Sequence, residues 1–229
     1  MNALTLSQPV GKNCPNQPND VKAVRERLAE IEKIPTGSWD GKFNDIILEG
    51  IHGVQRHFMI RPDGVIKVKG PTHNFLNAWM VKPISPGVKL PGDLKTAWDW
   101  VNPLLPEGSF CSSGFRTPVE QRRILHGYFL NTYRNQIIAK YGERKYNRVK
   151  ADLMGNEQQV LAMVRGVGQP IAAPGKSMHQ LGKAIDIGGP NTIDKRQVEI
   201  VTLIAHAHFD LFSGKVLKER NGCVHFEIR

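Results

Sequence analysis

The chain has 229 residues, 40% of them hydrophobic and 23% charged, with a formal net charge of +10. That length allows one large domain, or a medium one with a small companion, and no apolar run approaches a membrane span. The positive balance points to an anionic partner (nucleic acid, anionic lipid or an acidic cell-wall polymer) without choosing among them.

In chain order, the opening MNALTLSQPVGKN has neither a basic n-region nor a continuous apolar h-region, so no secretory signal is expected there. Asn19 or Asp20 is a candidate cap for a helix carrying Val21, Val24, Leu28 and Ile31 at a spacing of three to four residues. The Asp-Gly turn of 38-SWDGKF-43 precedes a second helix with Ile47, Ile51, Val54 and Phe58. A second Asp-Gly turn, 61-RPDGVI-66, leads to a short third helix at 71-PTHNFL-76. Residues 1–77 therefore read as a three-helix module, too small for a deep catalytic pocket and better suited to binding. Residues 78–92, with three prolines, read as an extended linker, and 93–229 as a second domain.

The second domain begins with a helix carrying Leu94, Trp98, Val101 and Leu105, then a strand-like 109-SFCSSGFR-116. Thr117-Pro118-Val119-Glu120 has the form of a capping box with proline at the first helical position. That helix is expected to run to about Lys140. A shorter helix carries Val160, Leu161 and Val164, and a Gly/Pro-bearing loop fills 166–177. Then come a strand at 182–188, a helix at 194–208 and a hairpin whose last strand is 223-CVHFEI-228. Helices and strands mix without regular alternation, so the expected class is α+β, with a small antiparallel sheet flanked by helices. Cys14, Cys111 and Cys223 are an odd, small set, which argues against a disulfide framework, and the absence of CxxC spacing argues against a thiolate zinc knuckle.

Two stretches carry candidate chemistry. In 177-SMHQLGKAID-186, His179 and Asp186 flank a glycine step at Gly182, and His225 follows on the last strand. Two imidazoles and a carboxylate suit zinc with one position left for water. Spacing alone leaves open whether these are metal ligands or ordinary hydrogen-bonded side chains.

Resemblance narrows this. The pattern 20-DVKAVRERL-28, 39-WDGKF-43, 51-IHGVQRHF-58, 62-PDGVI-66 resembles the peptidoglycan-binding domains found beside cell-wall hydrolases, with Arg25 where a glutamine is usual. The form S-x-H-x-x-G-x-A-x-D at 177–186, Ser113-Gly114-Phe115-Arg116 upstream and His225-Phe226-Glu227 downstream resemble zinc peptidases. That family groups D-alanyl-D-alanine carboxypeptidases with L-alanyl-D-glutamate endopeptidases. The resemblance implies zinc held by His179, Asp186 and His225. It also implies Arg116 as the cation on the substrate's acyl oxygen or carboxylate, and Ser177 as a substrate-side hydrogen-bonding group. One departure stands out: many relatives carry an acid three positions before the last histidine, and here that position is Gly222. Glu219, Glu227, His206 and His208 are the alternatives for the general base, with Glu219 preferred.

These readings imply a zinc-dependent peptidase acting on peptidoglycan stem peptides or crosslinks, made in the cytoplasm and acting in the periplasm or on the wall. It would get there as a phage endolysin or as a toxin with a secretion apparatus and an immunity protein. A non-catalytic, zinc-containing wall-binding protein is the alternative. No nucleic-acid-binding signature is present, and no stable membrane insertion is expected.

Overall fold

The computed structural model describes residues 3–219 and 221–229. Its elements run β1 (Val10–Gly11), α1 (Pro18–Glu30), α2 (Asp45–Gln55), β2 (Val65–Ile66), α3 (Pro71–Ala78), α4 (Asp93–Val101), β3 (Phe110–Ser113), α5 (Pro118–Gly127), α6 (Arg134–Tyr141), α7 (Glu143–Ala151), α8 (Glu157–Gly166), β4 (Ala184–Gly188), α9 (Asp194–Ala207), β5 (Phe212–Lys218) and β6 (Val224–Ile228). The class is mixed α+β. By contacts the chain falls into two compact units, one from the chain up to Val88 with Gly92–Ser113 and Ile185–Arg229, the other from Lys89–Pro91 and Gly114–Ala184.

The first unit holds the sheets. β1 and β2 pair antiparallel, and the larger sheet has the order β3-β4-β6-β5. In that sheet β3 pairs antiparallel with β4, and β5 with β6. Every residue of β4 and β6 is buried, as the interior positions of a covered sheet require. α4 buries Leu94, Ala97, Trp98 and Val101 on one stripe, and α9 buries Ile200, Val201, Ile204 and Ala205. The expected linker runs beside β3: Cys111 N–H donates to Pro83 O at 2.9 Å, and Ser85 N–H to Cys111 O at 2.9 Å.

The helical first third has a polar latch. Gln55 is 1% exposed. Its amide nitrogen donates to Asp63 Oδ1 (2.6 Å), Val65 O (3.0 Å) and Thr72 Oγ1 (3.2 Å), while its oxygen accepts the Gly64 N–H at 2.9 Å. The amide is fully used, and it clamps the second Asp-Gly turn to α2 and α3. Gln55, within the 51-IHGVQRHF-58 stretch, is therefore a structural residue. α1 begins at Pro18, with Gln17 at the cap position, not at Asn19 or Asp20. The Asp20 carboxylate instead takes Ser7 N–H (2.9 Å), Ser7 Oγ–H (2.7 Å) and Gln8 N–H (2.9 Å), fastening the N-terminal segment to the helix. Those hydrogen bonds outweigh the effect of burial and hold its pKa below the usual value. His57, set edge-on to Trp79 and Trp100, donates Nδ1–H to Trp100 O at 2.9 Å and faces Lys33 Nζ at 3.2 Å.

The second unit is helical. Its core gathers Leu125, Phe129, Ile137, Tyr146, Val149, Val160 and Val164. The capping box at Thr117 is present in both directions. The helix behind it does not reach Lys140 unbroken: it passes through a π turn at Tyr128–Thr132 and restarts at Arg134. The extra residue of the π turn rotates the face, so that Phe129 and Ile137 both reach the core. α7 carries the basic stretch 144-RKYNRVK-150, and its two apolar residues, Tyr146 and Val149, are its buried face.

Candidate metal centre

Strand β6 places His225 and Glu227 on one face, because residues two apart in a strand point the same way. Both are buried. His225 Nδ1 lies 2.8 Å from Asp186 Oδ1, and its Nε2 lies 3.2 Å from Glu227 Oε1. Glu227 Oε1 also accepts from Lys215 Nζ at 2.7 Å, across the β5–β6 pair. Burial alone would lower the His225 pKa. The bond to Asp186 and its charge, then Glu227 and Glu219, outweigh burial and raise it. Burial would raise Glu227, but Lys215 and His225 hold it below its usual value.

Asp186 sits on β4, opposite Ser113 of β3, and its backbone oxygen accepts the Ser112 hydroxyl at 3.1 Å. Cys223 Sγ is 3.7 Å from that hydroxyl. The three cysteines form no disulfide.

Ser177, His179 and Arg116 belong to the helical unit. The turn from Ser177 closes by Gln180 N–H and Leu181 N–H on Ser177 O, and Gly182, at φ +68°, reverses the chain toward β4. His179 donates Nδ1–H to Gly114 O at 2.9 Å, which fixes the tautomer and makes Nε2 the ligand-competent nitrogen. Arg116 N–H donates to His179 O at 3.2 Å, and Arg116 Nη1 to Gln121 Oε1 at 3.4 Å. The buried Gln121 is in turn held by Ala172 O at 3.2 Å. Arg116 is thus steered by a glutamine that sequence reasoning passed over; its place one turn into the capped helix was the available signal.

Ligand atoms from His179, Asp186 and His225, all three buried, lie within 4.8 Å of one another. The donor set of two imidazole nitrogens and one carboxylate oxygen fits zinc, and the hydrogen bonds to Gly114 O and Glu227 are of the kind that orient metal-binding histidines.

The expected acid position disfavours any side chain. Gly222 has φ +85°, and a Cβ there would collide with Asn191 Oδ1. It closes the β5–β6 turn by donating its N–H to Glu219 O at 3.0 Å. Glu219 itself is exposed at that turn, and its N–H donates to Cys223 O at 2.7 Å. His208 is engaged elsewhere, stacked on Trp100 with a centroid separation of 3.9 Å and bonded to Arg56 O at 2.7 Å. No family model, no curated protein and no solved structure matches this chain.

Proposed function

We propose that the chain is a zinc-dependent peptidase of peptidoglycan stem peptides or crosslinks, with His179, Asp186 and His225 as the metal ligands. The observation that supports it most is the convergence of these three buried side chains. A bound zinc would supply an acidified water and polarise the scissile carbonyl. His179 would bind through Nε2 and His225 through Nδ1, the nitrogen on the Asp186 side, with Nε2–H held by Glu227. Arg116 would place its guanidinium on the developing oxyanion or a terminal carboxylate, and Ser177 would hydrogen-bond the substrate. Glu219 would take the water proton: it is the exposed carboxylate of the β5–β6 turn, whereas Glu227 is committed to Lys215 and His225. The helical first third would hold the wall polymer, raising the local concentration of stem peptides. The site of action would be the periplasm or wall, reached by phage lysis or specialised secretion, with an immunity protein as partner in the second case.

The test is digestion of purified sacculi followed by mass spectrometry of the fragments. New peptide termini that vanish with a chelator and return with zinc support the reading. Intact stem peptides after incubation with zinc-loaded protein refute it. The glycine at position 222 favours a second reading, a wall-binding protein that holds zinc without turnover; sacculus binding and zinc content without new termini would establish it.

A further inference from the structure

The charge of this chain is unevenly spent. Between Arg134 and Ala151 there are six cations (Arg134, Lys140, Arg144, Lys145, Arg148 and Lys150) against one acid, Glu143, a net +5 and half of the chain's +10. All six are exposed. Several cations elsewhere are paired, among them Lys95 with Asp99 at 2.6 Å, Lys215 with Glu227 at 2.7 Å and Arg56 with Glu49 at 3.1 Å. Among the described residues none of the six forms an ion pair. The nearest acid beyond α7, Asp152, accepts the Gly155 N–H at 2.8 Å.

The two helices that carry these cations, α6 and α7, are joined by the single residue Gly142. On α7 the apolar residues Tyr146 and Val149 face the core, so Arg144 and Arg148, four apart, form the outward ridge. Just past α7 the turn carries Met154, 60% exposed. The aromatic rings are not presented for stacking: Lys145 and Lys140 lie over Tyr141 at 5.4 and 5.8 Å, and Tyr146 is buried.

We infer that the α6–α7 hairpin is a docking surface for an anionic phospholipid membrane, with the cations on the headgroup phosphates and Met154 dipping into the interface. A cationic ridge ending in one exposed apolar side chain fits a bilayer surface, where each nearby Lys or Arg adds to binding and the effect is screened by salt. Single-stranded nucleic acid would be met by exposed aromatic platforms, which this surface lacks. This contact is peripheral; among the described residues no helix is long and apolar enough to cross a membrane.

The experiment is co-sedimentation of the full chain with vesicles of phosphatidylcholine alone or of equal parts phosphatidylglycerol and phosphatidylcholine, at low and physiological ionic strength. The expected result is binding to the anionic vesicles only, weakened by salt. Arg144→Gln with Arg148→Gln should weaken it about thirtyfold, from the usual contribution of a surface cation. Met154→Ser, at an exposed position that spares the fold, should weaken it several-fold. No binding to anionic vesicles overturns the inference, as does binding that the paired arginine substitutions leave unchanged. Binding that depends on the arginines but not on Met154, together with equal retention on double-stranded DNA, would overturn the membrane and leave a soluble polyanion as the partner.

Discussion

Replacing Gln55 by glutamate tests the latch that organises the first third of the chain. The shape is nearly unchanged, and the acceptor for the Gly64 N–H survives. The donations to Asp63 Oδ1 and Val65 O do not, and the new carboxylate faces the Asp63 oxygen at a site where the contact is now 2.6 Å. The Thr72 hydroxyl can turn and donate instead. Two lost hydrogen bonds at about 1 kcal/mol each, plus a buried like-charge contact, give a loss of about 3 kcal/mol at neutral pH. The Asp63 charge raises the pKa of the new glutamate in the folded protein above its unfolded value. Its protonated form is thus favoured by folding, so the deficit is largest near pH 7 and shrinks as pH falls toward the carboxylate range. Urea unfolding of parent and variant at both pH values measures this. A variant within about 0.5 kcal/mol of the parent at neutral pH would refute the reasoning, since a latch with these hydrogen bonds cannot lose two of its donations at so small a cost. A deficit that grows on acidification would refute it too.

Other perturbations separate structural from chemical roles. Burial lowers the His57 pKa to about 4, from an ordinary value of 6.5. The unfolded chain therefore binds the extra proton first, and stability should fall by about 3 kcal/mol as pH drops from 6.5 to 4; an NMR titration of His57 with a midpoint above 6 would contradict this. Gly222→Ala should cost about 1–2 kcal/mol from its left-handed backbone, with little rescue by Asn191→Ala because the Asn191 amide can swing away; a thermal or urea measurement showing no loss would deny the turn its role. On the proposed mechanism, Glu219→Gln should lower turnover by at least about a hundredfold with zinc affinity unchanged. Glu227→Gln should instead weaken zinc binding about tenfold to a hundredfold. The reverse pattern would exchange the two roles.

Local signals carried much of the fold into view. The Thr117–Glu120 capping box, the apolar spacing of α2 and α4, and the last strand all follow from patterns within one element. The π turn after α5 did not, because no glycine or proline marks residues 128–132 and the shift serves tertiary packing. Asp20 looks like a helix cap, yet its partners lie at Ser7 and Gln8, upstream of the helix. The same limit holds at the candidate site. His179, Asp186 and His225 were readable as residue types in a motif, and Gly114 O as the anchor of His179 was not. Nor was the Lys215–Glu227 pair, which depends on the register of β5 against β6. That position 222 disfavours a side chain needed the backbone angle, which no local pattern shows.

The central claim is that three side chains hold one metal ion. Titration calorimetry of the metal-stripped protein with zinc, backed by elemental analysis after dialysis, tests it directly. The account predicts about one tight zinc per chain, as three well-oriented ligands imply, and its loss from each of His179→Ala, Asp186→Ala and His225→Ala while all three variants stay folded by circular dichroism. Zinc held as tightly by the folded Asp186→Ala chain as by the parent would contradict it.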